Sequence, residues 1–432
     1  MTDLVELEVT ALGAAGDGIA ALPDRTTCFI PRGLPGDRLR VALGPRRRDG
    51  VHARLTEILS PGPDRVTPPC PHFEEGCGGC AVQHLAPAAQ AIWKRDRLRE
   101  ALSRGGYANA AVADTVTTPP GRRRRADFAV RREPGGIALG FHRGGSAEVL
   151  DLRSCAVLDP RLATLIAPLR EMLRRLPALR REGSAVVNLL DTGPDLVLRT
   201  DGPLSSTDRA ALAGFAREAG LPRIAWALKD GPIEIAAQTG PATITLSGAE
   251  LAPAPGAFLQ ASPDGEAAII AAVLAALPAK LAGRGRIADL HAGLGTLSIP
   301  LAACGRVTAF ESDAAAVTAL AAAAGRAGVP VTATRRDLDR QPLTVAELAG
   351  FAAVVLDPPH AGAQEQVPLL ARSAVPTVVY VSCNPAALSR DARAFAQAGW
   401  ALAAATPIDQ FVHSAQLEAV VAFTRHAKAA RR

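Results

Sequence analysis

Three short motifs in the C-terminal half of the chain carry residue types suited to covalent catalysis. YVSCNP holds Cys383 after an apolar run and before Asn384 and Pro385, a pair suited to the cap and first turn of a helix. A thiol at a helix N-terminus is expected to favour thiolate, the form that attacks carbon. DQFVHSAQLEAV holds Glu418 at the entrance of the apolar run LEAVVAF, where partial burial raises a carboxylate towards the pKa of a useful base. His413 in that motif reads equally well as a structural residue. LDPPHAG places Asp357 at the end of a further apolar run, and Pro358 and Pro359 stiffen the loop by fixing φ.

A fourth motif has the form of a nucleoside-binding loop. DLHAGLGT, from Asp289 to Thr296, follows the strand-like RIADL, and Gly293 and Gly295 permit a tight turn with close approach of a ligand. The third glycine of a dinucleotide fingerprint is replaced by Ser298. Glu311 closes the next strand, VTAFE, where a carboxylate can accept both ribose hydroxyls, and Asp337 follows the third strand, where it can meet an adenine edge. Such a loop with two spaced acids fits S-adenosylmethionine better than NAD. Elsewhere Cys70, Cys77 and Cys80 are separated by six and by two residues, and Cys155 lies in DLRSCAVL. Three close thiols and one brought in by folding make a four-sulfur site, open to zinc or to an iron–sulfur cluster. Cys28 and Cys304 have no such partners and are expected in the core.

The elements that must position these groups fall into three regions. Residues 1–60 read as about five short strands between Gly/Pro turns, the pattern of a small oligonucleotide-binding barrel. Residues 61–250 mix a helix at 90–103, an antiparallel meander, a hairpin, and amphipathic helices at 161–179 and 207–219, an α+β domain. Residues 251–432 alternate apolar strands and helices, which implies a doubly wound parallel sheet, with two more strands in 401–423.

Composition narrows the partners. The net charge is +6, and only four of the 48 basic residues are lysine. Arg32, Arg38, Arg40, Arg46, Arg47, Arg48 and Arg54 form one cluster, and Arg122, Arg123, Arg124, Arg125, Arg131 and Arg132 form a second; two such patches suggest nucleic acid, and solvated loops account for these runs equally well. No apolar run is long enough for a bilayer, and the first residues read as neither signal nor transit peptide. A cytoplasmic monomer without an obligate protein partner is expected.

Taken together, the cysteine spacing, FLQAS (Phe258 to Ser262), DLHAGLGT, DPPHAG, SCNP and the terminal glutamate motif resemble the uracil-5 RNA methyltransferase family. The resemblance is narrower to bacterial 23S ribosomal RNA members with a TRAM domain and a 4Fe–4S cluster. It implies a Rossmann-like methyltransferase domain, with Cys383 as nucleophile, Glu418 as base, and Gln260, Glu311 and Asp357 lining the cofactor and active site. It also implies Cys70, Cys77, Cys80 and Cys155 as cluster ligands. Ser262, His291, Ala292, His360 and Gln416 depart from the family pattern, and Ser262 can still cap a helix. Rival expectations are the same reaction on transfer RNA, a cytosine-5 methyltransferase, and a non-catalytic ribosome-assembly factor. The intact cysteine and glutamate count against the last.

Overall fold

The computed structural model describes residues 4–279, 281 and 285–425. The C-terminal sheet has eight strands, in the spatial order Val331–Arg335, Arg306–Glu311, Arg286–Leu290, Ala353–Leu356, Thr377–Ser382, Glu418–Thr424, Ala401–Asp409, Val116–Thr117. The first five are parallel, whereas Glu418–Thr424 runs antiparallel to both of its neighbours and fills the gap between two strands that precede it in sequence. The central strands are buried on both faces, which explains their continuous Val/Ala/Leu composition. This is the doubly wound, Rossmann-like sheet expected from the sequence, with an antiparallel strand inserted near one end. Strand order reverses between Arg286–Leu290 and Ala353–Leu356, the point at which an open α/β sheet forms a crevice beyond its strand ends.

The preceding region is built on a seven-stranded sheet, mostly antiparallel, with the strands Arg125–Glu133 and Glu182–Leu190 near its middle. Leu162, Ile166, Leu169, Leu173, Leu212 and Phe215 close one face of it. The helix expected over 161–179 is two pieces, Pro160–Ala163 and Ile166–Arg174. Pro168 explains the break, because it has no N–H to donate four residues back and is accommodated in a first turn.

At the N-terminus six strands, Leu4–Glu8 to Gly50–Ser60, form a separate sheet around Val9, Cys28, Ile30, Leu39 and Val41.

One segment sits elsewhere than expected. The helix Pro87–Arg104, read from sequence as part of the central domain, packs through Leu98 and Leu102 into the core of the C-terminal sheet. Strand Val116–Thr117 then extends that sheet beside Ala401–Asp409. Amphipathic spacing tells a helix to bury a face but does not name the partner.

Candidate functional site

The antiparallel insertion explains why Cys383 and Glu418 meet. Cys383 follows the carboxyl end of Thr377–Ser382, and Ser382 is in register with Ala419, so the start of Glu418–Thr424 lies at that same end. Ile408 is in register with Glu418, which brings Gln410 there as well. Asp357 follows Ala353–Leu356 and donates its backbone N–H to Leu290 O. Asn384 caps the helix Pro385–Gln397, as expected, with its Oδ1 accepting from the N–H of Ala386, 2.9 Å away. Its Nδ2 donates to His360 O at 2.9 Å, tying the loop after Asp357 to the cysteine loop.

A continuous hydrogen-bonded chain joins the two carboxylates. Gln260 Nε2 donates to Asp357 Oδ2 at 3.1 Å, and Gln260 Oε1 accepts from Gln410 Nε2 at 3.0 Å. Gln410 Nε2 also donates to Glu418 Oε2 at 2.7 Å. Glu418 is 4% exposed, and its other oxygen, Oε1, has no partner among the described residues. Gln260 is itself held by buried Arg124, which donates to its carbonyl at 3.0 Å and pairs with Glu266. Ser262, with its Oγ accepting from Gly265 N at 3.0 Å, caps the next helix as expected. Gln410 was not singled out from sequence although it shares a motif with Glu418, because its other partners, Gln260 and Ala261, come from a segment far away in the chain.

Burial sets the electrostatics. The Cys383 thiol is pushed up to about 11 by burial and by the nearby carboxylates of Glu418 and Asp357. This reverses the expectation of a thiolate-favouring helix terminus, since one backbone hydrogen bond does not offset desolvation and two negative neighbours. Glu418 is raised well above the ordinary carboxylate range by burial and by Asp357, and Asp357 itself rises to about 6. The thiol borders a crevice of about 380 Å³ whose walls include Ala14, Gly79, Arg97, His360 and Gln416. Segments far apart in sequence, including a turn of the N-terminal sheet, therefore surround it.

The glycine loop lies one strand over. Gly293 (φ 53°) has open space where a Cβ would point, whereas a Cβ on Gly295 (φ 88°) would collide with Leu320. Only Gly293 offers close approach; Gly295 serves helix packing. Glu311 Oε2 accepts from Gly293 N at 2.9 Å, anchoring the loop to the neighbouring strand end. Asp289 lies beneath the loop, 1% exposed, with Oδ2 accepting from Ser298 Oγ and Oδ1 unpartnered among the described residues. Burial raises it to about 7. Asp337 accepts from Asp339 N and Arg340 N and so organises its own turn. His291 has a left-handed backbone (φ 60°), and its Nε2 has no partner among the described residues.

The four spaced cysteines form a second centre. Cys70, Cys77, Cys80 and Cys155 line one cavity of about 350 Å³, with Arg123 and Gln410 in its wall. Burial raises the thiols of Cys77 and Cys155, and that of Cys80 to about 12. Among the described residues no group of three or more His, Cys, Asp or Glu is placed to hold a metal ion. His72 gathers the segments: its Nδ1 meets Glu75 Oε2 at 2.8 Å and its Nε2 accepts from Arg153 N at 2.9 Å, two residues before Cys155. Cys28 is in the core as expected, but Cys304 is exposed, which corrects its expected burial.

The arginine clusters divide. Arg124 is buried, Arg132 donates to four carbonyls at the end of a helix and beyond, and Arg40 and Arg46 pair with carboxylates. Arg47, Arg48 and Arg54 are exposed, with no ion pair among the described residues. Phe258 is 67% exposed, with the Arg125 guanidinium over its ring at 5.6 Å. No helix among the described residues is long and apolar enough to cross a membrane.

Similar proteins point the same way as this geometry. A sequence profile described as tRNA (uracil-5-)-methyltransferase matches residues 332–426. A Caulobacter vibrioides protein described as an uncharacterized RNA methyltransferase is 39% identical over 97% of this chain and 100% of its own length. A 23S rRNA (uracil(1939)-C(5))-methyltransferase of Chromohalobacter salexigens is 36% identical over 97% of this chain and 89% of its own length. The chain belongs to the uracil-5 RNA methyltransferase family. The crystal structure of Pyrococcus abyssi tRNA (uracil-54, C5)-methyltransferase in complex with S-adenosyl-L-homocysteine has the same fold, with a TM-score of 0.73 at 21% identity, covering 97% of this chain and 100% of that one.

Proposed function

We propose that this enzyme methylates carbon 5 of a uridine in 23S ribosomal RNA, with Cys383 as nucleophile and Glu418 as base. The observation that carries the reading is the meeting of a crevice-facing thiol and a carboxylate with one unpartnered oxygen at a single sheet edge. Carbon 5 of uracil is too weak a nucleophile to take a methyl group unaided. Addition of the Cys383 sulfur at carbon 6 makes carbon 5 electron-rich. S-adenosylmethionine, when bound, supplies the methyl group. Glu418 Oε1 then takes the proton from carbon 5; the electron pair of that C–H bond forms the 5,6 double bond, and the C6–S bond breaks to release thiolate. Because burial favours the protonated forms of both Cys383 and Glu418, higher pH assists thiolate formation and also ionises Glu418 to take the carbon-5 proton.

For the cofactor, the open face at Gly293 and the strand-end carboxylate of Glu311 form a cradle for a nucleoside, with Asp289 bracing the loop from below and Asp337 ordering the far turn. Gln260 and Asp357 stand between that cradle and the thiol. The four thiols that line one cavity, those of Cys70, Cys77, Cys80 and Cys155, are a donor set of the kind that would hold a 4Fe–4S cluster. The exposed arginines and the N-terminal sheet, which we read as a TRAM-type RNA-binding domain, would hold flanking RNA, and a stacked target uracil must be flipped to reach Cys383. Mass-spectrometric mapping of 5-methyluridine with and without the gene tests the substrate. Loss of one 23S site on deletion is expected; loss confined to transfer RNA would overturn the ribosomal assignment.

A further inference from the structure

Gln410 has no part in the reaction as written above, yet every polar atom of its side chain is engaged. Its Oε1 accepts from the backbone N–H of Ala261 at 3.2 Å, and its Nε2 donates to Gln260 Oε1 at 3.0 Å and to Glu418 Oε2 at 2.7 Å. Of the two ends of a glutamine amide only the oxygen can accept a backbone N–H, so Ala261 fixes which way the Gln410 amide points. With the Gln410 nitrogen facing Gln260, the Gln260 oxygen must face Gln410 and its nitrogen must face Asp357. One main-chain N–H thus orients two side-chain amides and the carboxylates at both ends.

The surroundings fix Gln410 further. Lys94, fully buried, pairs with Asp409 and donates to Phe411 O at 3.1 Å, gripping the chain on either side of Gln410. At position 265 glycine leaves room for it, since a Cβ there would lie 2.5 Å from Gln410 Cβ. The Glu418 carboxylate has no other hydrogen-bond partner among the described residues, so only Gln410 sets its rotation.

We propose that Gln410 is the positioning residue for Glu418, holding Oε2 so that the free Oε1 faces the proton on carbon 5 during release of the enzyme–RNA adduct. The inference rests on the functional reading above. Without this hold, the sulfur still adds and the methyl group still transfers, but proton removal slows. The adduct between Cys383 and the methylated uracil therefore accumulates.

The test uses the full-length enzyme with in vitro transcribed 23S rRNA and S-adenosylmethionine, and follows 5-methyluridine, denaturation-resistant protein–RNA adduct and kcat against KM. Gln410→Met keeps length but removes the donors. It should lower kcat roughly tenfold or more, within the range of general-base effects, with KM for S-adenosylmethionine nearly unchanged and adduct accumulating as in Glu418→Gln. Gln410→His, which retains a donor, should recover part of the rate. Gly265→Ala approaches from the other side, by pressing on Gln410, and should give the same adduct signature if Gln410→Met is unstable. Wild-type turnover by Gln410→Met, or a slow variant without adduct, would overturn the inference. A wild-type enzyme that makes no 5-methyluridine, or a fully active Cys383→Ala, would instead overturn the functional reading on which it rests.

Discussion

The two centres of this molecule are assembled in opposite ways. At the sheet edge, side chains hold one another: Asp357, Gln260, Gln410 and Glu418 form one hydrogen-bonded chain, and Glu418 Oε1 is left free at its end. In the cysteine cavity contacts to the main chain do the gathering. The His72 side chain accepts from the backbone N–H of Arg153, tying the segment of Cys70 to that of Cys155, and Cys77 bridges to Arg143 through the main chain. A site that must act on a passing base needs its groups aimed before the base arrives. Ligands that a bound group will orient need only be brought into reach.

That contrast breaks or holds on measurements of decreasing size. Cys383→Ala should reduce methylation by roughly four orders of magnitude, as expected when an essential nucleophile is lost, while S-adenosylmethionine binding and iron content stay at wild-type levels. Full activity in that variant would remove the adduct mechanism. Cys80→Ser should do the reverse to the metal: protein purified without air should lose iron and acid-labile sulfide and melt roughly 5 °C or more lower. Zinc without iron in the wild type would sink the cluster.

The smallest effect concerns Asp289. Its folded pKa of about 7 lies above its ordinary value of 3.8, so the folded state holds the proton more tightly. Its contribution is full below the ordinary value and is lost as pH rises to about 7. Asp289→Asn should therefore shrink the drop in Tm between pH 5 and pH 8 by roughly 3 °C or more. An unchanged difference would show that Asp289 is not held protonated by burial.

Much of the catalytic edge was legible because each strand of a doubly covered sheet is an apolar run, and the residues just past each run land on one rim. Cys383, Asp357 and the glycine loop were found that way, and Glu418 as a charge where an apolar run begins. Gln410 and Arg124 were not, because a polar residue in a loop has no pattern until its partners are brought to it across the fold. The same limit applies to the helix Pro87–Arg104, whose periodicity gave its length within a few residues but not its host sheet. The thiol was misjudged in direction, since the helix terminus is visible in sequence while the carboxylates around Cys383 are assembled only by folding. Likewise Arg124 and Arg132, counted with the RNA-facing arginines, serve the interior.

The insertion of Glu418–Thr424 between Thr377–Ser382 and Ala401–Asp409 has a consequence for folding order. The two flanking strands do not pair with each other in the native sheet; Ala401–Asp409 joins Thr377–Ser382 only through Glu418–Thr424. This pairing is long-range for Thr377–Ser382 and belongs to the slow class of folding events. Because Glu418 is the first residue of the inserted strand, the pairing that closes the sheet also delivers the proposed base to the rim. On that proposal, a molecule lacking this pairing has no means to release an adduct.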